Sequence, residues 1–124
     1  MSSKKTILVV EDDAIILDML AMQLEGNYDV LVARDGLDAA SVYESNVERV
    51  VAIVTDWDMP RLDGGSLAEW VHHISPRLPI IIMSGNIRSE GDQDSTPSPM
   101  SNFLVKPFEP SQLEALLNEF LDRE

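Results

Sequence analysis

The chain contains no cysteine, which excludes disulfide staples, thiolate metal sites and a cysteine nucleophile. Basic residues are scarce: nine Lys and Arg stand against 22 Asp and Glu, for a formal net charge of −13. That balance repels phosphate backbones and argues against direct nucleic-acid binding. No stretch approaches the roughly 20 apolar residues needed to span a bilayer, so no membrane partner is expected. The start, Met1-Ser2-Ser3-Lys4-Lys5 followed by five uncharged residues and then Glu11, is too short and too acidic for a signal peptide. A soluble, cytoplasmic protein is the expectation. There is no internal repeat and no linker, so residues 1–124 read as one domain, large enough to bury a core unaided.

What is present has ordinary proportions, 44% hydrophobic and 25% charged, and a regular alternation of patterns. The central stretch is Val50-Val51-Ala52-Ile53-Val54-Thr55-Asp56. Its apolar, mostly β-branched run predicts a strand buried on both faces inside a parallel sheet. Four further strands are predicted: Thr6–Val10, Tyr28–Ala33, Pro79–Met83 and Ser101–Val105. Helical spacing appears at Ile16, Leu17, Leu20 and Leu24, with Gly26 as the expected stop. It recurs at Leu67, Trp70, Val71 and Ile74, and at Leu113, Leu116, Leu117, Phe120 and Leu121. A weaker helix, entered by the Asp35-Gly36 turn, has a small face of Ala39, Ala40, Val42 and Tyr43. Strands alternating with helices at this spacing imply a parallel α/β sheet covered on both faces.

Residues 86–100 break the alternation. Ile87 and Met100 are the only large apolar residues there, amid Gly91, Pro97 and Pro99. A full amphipathic helix cannot be built from them; a short helical turn followed by a mobile loop is expected.

Four of the five strands end on polar groups: Glu11-Asp12, Asp56, Ser84 and Lys106. In a parallel sheet all carboxyl ends lie on one side, where ligands of open α/β sheets bind. Three carboxylates brought together repel one another unless a cation or proton intervenes. With no His or Cys ligand in the set, the donors suit a hard divalent ion, and Mg²⁺ best fits an open, wet site. Lys106 and the Ser84 hydroxyl are then the groups to hold a phosphoryl oxygen.

The ordered set resembles the receiver domains of two-component response regulators. The resemblance rests on the acidic pair Glu11-Asp12, Asp56-x-x-Met59-Pro60-x-x-Asp63-Gly64, Ser84-Gly85 and Phe103-x-x-Lys106-Pro107-Phe108, and covers nearly the whole chain. It implies a flavodoxin-like (βα)5 fold with strand order 2-1-3-4-5 and a short or irregular fourth helix. It also implies that Asp56 takes a phosphoryl group from a sensor histidine kinase or a histidine phosphotransfer protein. Glu11, Asp12, Asp56 and the backbone carbonyl of Asp58 would hold Mg²⁺, and Ser84 and Lys106 would contact the phosphoryl oxygens. Ser84 and Phe103 would form the conformational switch, while Asp58 and Asn86 would tune phosphoryl lifetime. Surface residues near the first helix would select the kinase, and the Lys106-Pro107 bond would be cis. Such a domain catalyses its own phosphorylation and slow dephosphorylation and is not a metabolic enzyme.

Each residue also has a plainer role. Asp13, directly before the first helix, reads as a cap; His72 and His73 read as solvated helix residues; Trp57 and Trp70 read as packing, with Trp57 near the site mouth. Other functions remain open at this level. Asp56-Trp57-Asp58 also resembles the start of haloacid-dehalogenase phosphohydrolases, although 124 residues leave no room for their cap. A flavin carrier of the same fold would need a glycine- or hydroxyl-rich loop where Glu11-Asp12-Asp13 stands. A receiver-like binding module that is never phosphorylated would keep the fold without the chemistry.

Overall fold

The three central apolar runs, around Ile7, Ile53 and Ile81, become strands because each buries both of its faces. The computed structural model of the chain describes residues 4–85, 101–106 and 108–121. Its elements are β1 (Lys5–Val10), α1 (Ala14–Leu24), β2 (Tyr28–Ala33), α2 (Gly36–Glu44), β3 (Val50–Asp56), α3 (Gly64–Ile74), β4 (Ile80–Ser84), β5 (Ser101–Val105) and α4 (Pro110–Leu121). All five strands are parallel, in the order β2-β1-β3-β4-β5. The irregular fourth-helix segment predicted for 86–100 lies outside the described residues.

Side-chain alternation along the strands divides the core in two. Ile7, Val9, Val54, Ile81 and Met83 point to one face and meet Leu17, Leu20 and Leu24 of α1 and Leu113, Leu117 and Leu121 of α4. Leu8, Val10, Ile53, Ile80 and Ile82 point to the other and meet Ala39 and Tyr43 of α2 and Leu67, Ala68 and Val71 of α3. Burying each Leu or Ile stabilises the fold by about 1.5–3 kcal/mol. A single change such as Leu117→Ala would empty part of the first face. No helix among the described residues is long and apolar enough to cross a membrane.

Each of the first three helices starts on an aspartate. Asp13 accepts from the Ile15 and Ile16 amides, Asp35 from Asp38, and Asp63 from Ser66. Such caps satisfy amides that the first turn leaves without a partner.

The helix faces are narrower than their spacing predicts. Ile16 is 36% exposed and Ile74 43% exposed, so neither belongs to the core proper. Ile16 instead lines a groove of about 750 Å³ with Met19, Met22, Phe108 and Lys106. α1 stops where Gly26 predicts, with Glu25 as its cap, but not through a left-handed glycine: no described glycine has positive φ, and Glu25 keeps right-handed geometry, its N–H donating to the Ala21 carbonyl. His72 is also not a solvated residue. It is half-buried and its Nε2 lies 2.9 Å from the Leu78 carbonyl, which can only accept, so the ring carries its proton there.

Candidate functional site

The sheet's hydrogen-bond ladder extends one residue beyond several strands and thereby fixes the polar ends. Glu11 N–H donates to the Ala33 carbonyl at 3.1 Å, Trp57 N–H to Met83 at 2.8 Å, and Lys106 N–H to Ser84 at 2.7 Å. Val10 is in register with Thr55, and Asp56 with Met83. Glu11 and Asp56 therefore emerge side by side, with Ser84 one residue further along the neighbouring strand. Glu11, Asp56 and Ser84 are buried, whereas Asp12 is exposed.

One carboxylate oxygen from each of Glu11, Asp12 and Asp56 lies within 4.8 Å of the others. Lys106 Nζ reaches between two of them, 3.0 Å from Asp56 Oδ1 and 3.4 Å from Glu11 Oε1. Burial pushes the Asp56 carboxyl above its ordinary range; Lys106 opposes this, while Asp12 and Asp58 reinforce it. Burial likewise raises Glu11, against the pull of the Asp13 amide and with the push of Asp56. For Lys106, burial acts to lower the pKa, but the Asp56 and Glu11 carboxylates outweigh it and hold the ammonium above its ordinary value.

These groups fit a divalent cation. All donors are hard oxygens, and three carboxylates facing one ammonium leave two negative charges uncompensated. Beside them a cleft of about 470 Å³, lined by Asp12, Trp57, Asp58, Met59, Pro60 and Asp63, leaves room for ligands and water.

The β3–α3 loop that forms this cleft is held tightly. Gly64 N–H donates to the Trp57 carbonyl at 2.9 Å. A Cβ on Gly64 would stand 2.4 Å from the Asp56 carbonyl oxygen, so only glycine permits this approach. The Thr55 hydroxyl donates to the same carbonyl at 3.0 Å. The Trp57 and Phe103 rings pack at 5.8 Å between centroids, tilted by 45°.

The family model for the response regulator receiver domain matches residues 7–118. The chain belongs to that family. It is a receiver domain of two-component signalling, with the flavodoxin-like arrangement that its motifs imply. A similar protein is the transcription factor SKN7 of Chaetomium thermophilum, 34% identical over 119 residues that cover 95% of this chain and 16% of that protein. The sensor histidine kinase RcsC of Escherichia coli is 31% identical over 118 residues, covering 94% of this chain and 12% of the kinase. The receiver domain thus spans less than a fifth of the length of either relative. Among solved structures, the receiver domain of the sensor histidine kinase PA1611 from Pseudomonas aeruginosa superposes with a TM-score of 0.81 at 27% identity, covering 97% of this chain and 99% of that one. That structure has a magnesium ion coordinated in its active-site cleft.

The receiver domain brings Glu11, Asp12, Asp56 and Lys106 together, with Ser84 at the end of the adjacent strand. Asp58 lies exposed in the cleft wall, and Phe103 is half-buried on β5 against Trp57. Asn86 and Pro107 lie outside the described residues, and with them the lifetime-tuning role of Asn86 and the cis bond. Asp13 is the helix cap its position predicted. Trp57 stands at the site mouth, and Trp70 packs edge-on against Tyr43. Sequence reasoning missed the two contacts that tie the loop to α2: an ion pair between Arg61 and Asp35, and the close seat of Leu62 on Gly36. Neither residue pair has a period or motif that joins it across the chain.

Proposed function

We propose that this receiver domain accepts a phosphoryl group on Asp56 from a phosphohistidine, with Mg²⁺ as its cofactor. The carrying observation is the pairing of a buried Asp56 carboxylate with Lys106 inside a cluster of three carboxylates. Glu11, Asp12, Asp56 and the Asp58 backbone carbonyl are the ligands of the cation in this reading. A bound Mg²⁺ would offset negative charge on the transferring group and its equatorial oxygens.

In the transfer, an Asp56 carboxylate oxygen attacks phosphorus while the P–N bond to the donor imidazole breaks. The electron pair of that bond returns to the imidazole, and the product is an aspartyl phosphate. Attack draws Asp56 charge away from Lys106 and places new charge on the phosphoryl oxygens, which the ammonium can follow. The Ser84 hydroxyl donates to another of those oxygens. Movement of Ser84 toward the phosphate leaves space that Phe103 can enter, and phosphorylation then favours one of two existing states. Phe103 carries no hydroxyl, so its inward state buries no unmatched polar group.

The donor is a sensor histidine kinase or a histidine phosphotransfer protein in a cytoplasmic setting. The groove between α1 and Phe108 borders Lys106 and is apolar at Ile16, Met19 and Met22. That makes it the fitting place for a donor helix to dock. In this reading Asp58 and Asn86 are the residues that tune how long the phosphoryl group lasts.

Intact mass after incubation with acetyl phosphate tests the reading. The expected result is a gain of one phosphoryl group that requires Mg²⁺. No gain with acetyl phosphate or with a phosphorylated histidine donor would leave a binding module instead.

A further inference from the structure

The β3–α3 loop, residues 57–63, supplies most of the lining of the acidic cleft. Its path is unusual. Arg61 has φ of 74°, the only positive value among the described non-glycine residues. A side chain in that region is strained, and such a conformation persists only where its surroundings impose it. Two contacts do so here, both with the start of α2. The Arg61 guanidinium pairs with Asp35 Oδ2. One residue later the Leu62 carbonyl sits where a Cβ on Gly36 would be, at 2.1 Å from its ideal position.

Asp35 is a rigid anchor for this pairing. Its Oδ1 accepts from the Asp38 amide at 2.7 Å as the α2 cap, leaving Oδ2 for the arginine. The carboxylate is only 15% exposed, although the guanidinium is 58% exposed. The same loop carries Asp58, which lines the cleft together with Asp12.

We propose that Arg61 and Asp35 form a clamp that sets how the β3–α3 loop lies over the acidic cluster, making them positioning residues for the cation. The proposal rests on the reading of Asp58 as a backbone ligand of Mg²⁺. Neither clamp residue touches the ion. By fixing the path of the loop that carries Asp58, they would spare the folded protein the cost of ordering it on binding.

The test uses Asp35→Asn, which keeps the capping oxygen, Arg61→Gln, and the double variant. Mg²⁺ affinity is read from the midpoint of Trp57 fluorescence titrations well below the melting temperature. Each single variant should bind Mg²⁺ about threefold more weakly, in line with a half-exposed ion pair. The double variant should be no weaker than either single one, because both remove the same contact. Arg61→Lys should recover part of the affinity. Without metal, the Gly64 amide, bonded to Trp57 across the loop, should exchange its hydrogen faster in the variants. Unchanged affinity with a lowered melting temperature would reduce the pair to local stability and overturn the clamp. Losses that multiply in the double variant would overturn it as well. If the wild type shows no saturable Mg²⁺ binding, the cation reading itself fails, and the positioning claim with it.

Discussion

Replacing Lys106 with methionine keeps the aliphatic stem and removes an ammonium that lies 3.0 Å from Asp56 Oδ1 and 3.4 Å from Glu11 Oε1. At an effective dielectric of about 20, each attraction is worth about 5 kcal/mol before desolvation is counted. The net figure is smaller, because Lys106 gives up most of its own hydration. Breaking a buried pair by removing one partner costs about 3–5 kcal/mol. Lys106 keeps 27% of its side-chain surface in water, which lowers that to about 2–3 kcal/mol. For a domain of this size the melting temperature should fall by about 10 °C in metal-free buffer at pH 7. The loss should shrink as pH falls toward 4, where Glu11 and Asp56, both raised by burial, take up protons and no longer need the ammonium. Thermal denaturation by circular dichroism over a pH series measures both effects. A Lys106→Met variant as stable as wild type at pH 7, or a loss of equal size at every pH, would refute the reasoning.

Cation binding should stabilise the wild type by mass action, by about 2.7 kcal/mol at a hundredfold excess over Kd; Asp12→Asn should lose most of that gain in a thermal melt. Gly64→Ala should destabilise by about 1–3 kcal/mol through overpacking, since its Cβ would meet the Asp56 carbonyl at 2.4 Å; urea denaturation checks this, and the displaced Asp56 should also accept phosphate more slowly. In the metal-free protein, the raised Glu11 and Asp56 groups predict stability that falls as pH rises from their ordinary values of 4.5 and 3.8 through their folded values. Asp35, lowered by the Asp38 amide and by Arg61, acts in the opposite sense, with its contribution lost as pH falls through its folded value. The raised Lys106 contributes fully below its ordinary value of 10.5 and is lost as pH rises through its folded value. Denaturant midpoints between pH 3 and 11 should therefore show the first effect reversed once Mg²⁺ is added.

Most of the site could be read from sequence because parallel topology turns strand ends into a single edge. Glu11, Asp56, Ser84 and Lys106 needed only the four strand boundaries to be placed together, and β2 and β5 span the residues their patterns predict. Helix faces were harder. Ile16 and Ile74 fit a helical period, yet the contact with the sheet is too narrow to cover them. Periodicity reports which residues share a face and not how wide the opposing surface is. His72 looked solvated because its acceptor, the Leu78 carbonyl, belongs to the turn after α3. The Arg61–Asp35 pair is 26 residues apart in sequence and joins two loops. Such a contact depends on how the β2–α2 and β3–α3 connections approach, and no local pattern encodes that distance.

The central claim, that Asp56 carries the phosphoryl group, is tested most directly by trapping the acyl phosphate. Borohydride reduces an aspartyl phosphate to homoserine and releases phosphate, and peptide sequencing by mass spectrometry then reads the modified position. After treatment with phosphodonor and Mg²⁺, homoserine is predicted at position 56, and nowhere in an Asp56→Asn variant. Homoserine at position 12 or 58 in the wild type, or its persistence in the variant, would contradict the account.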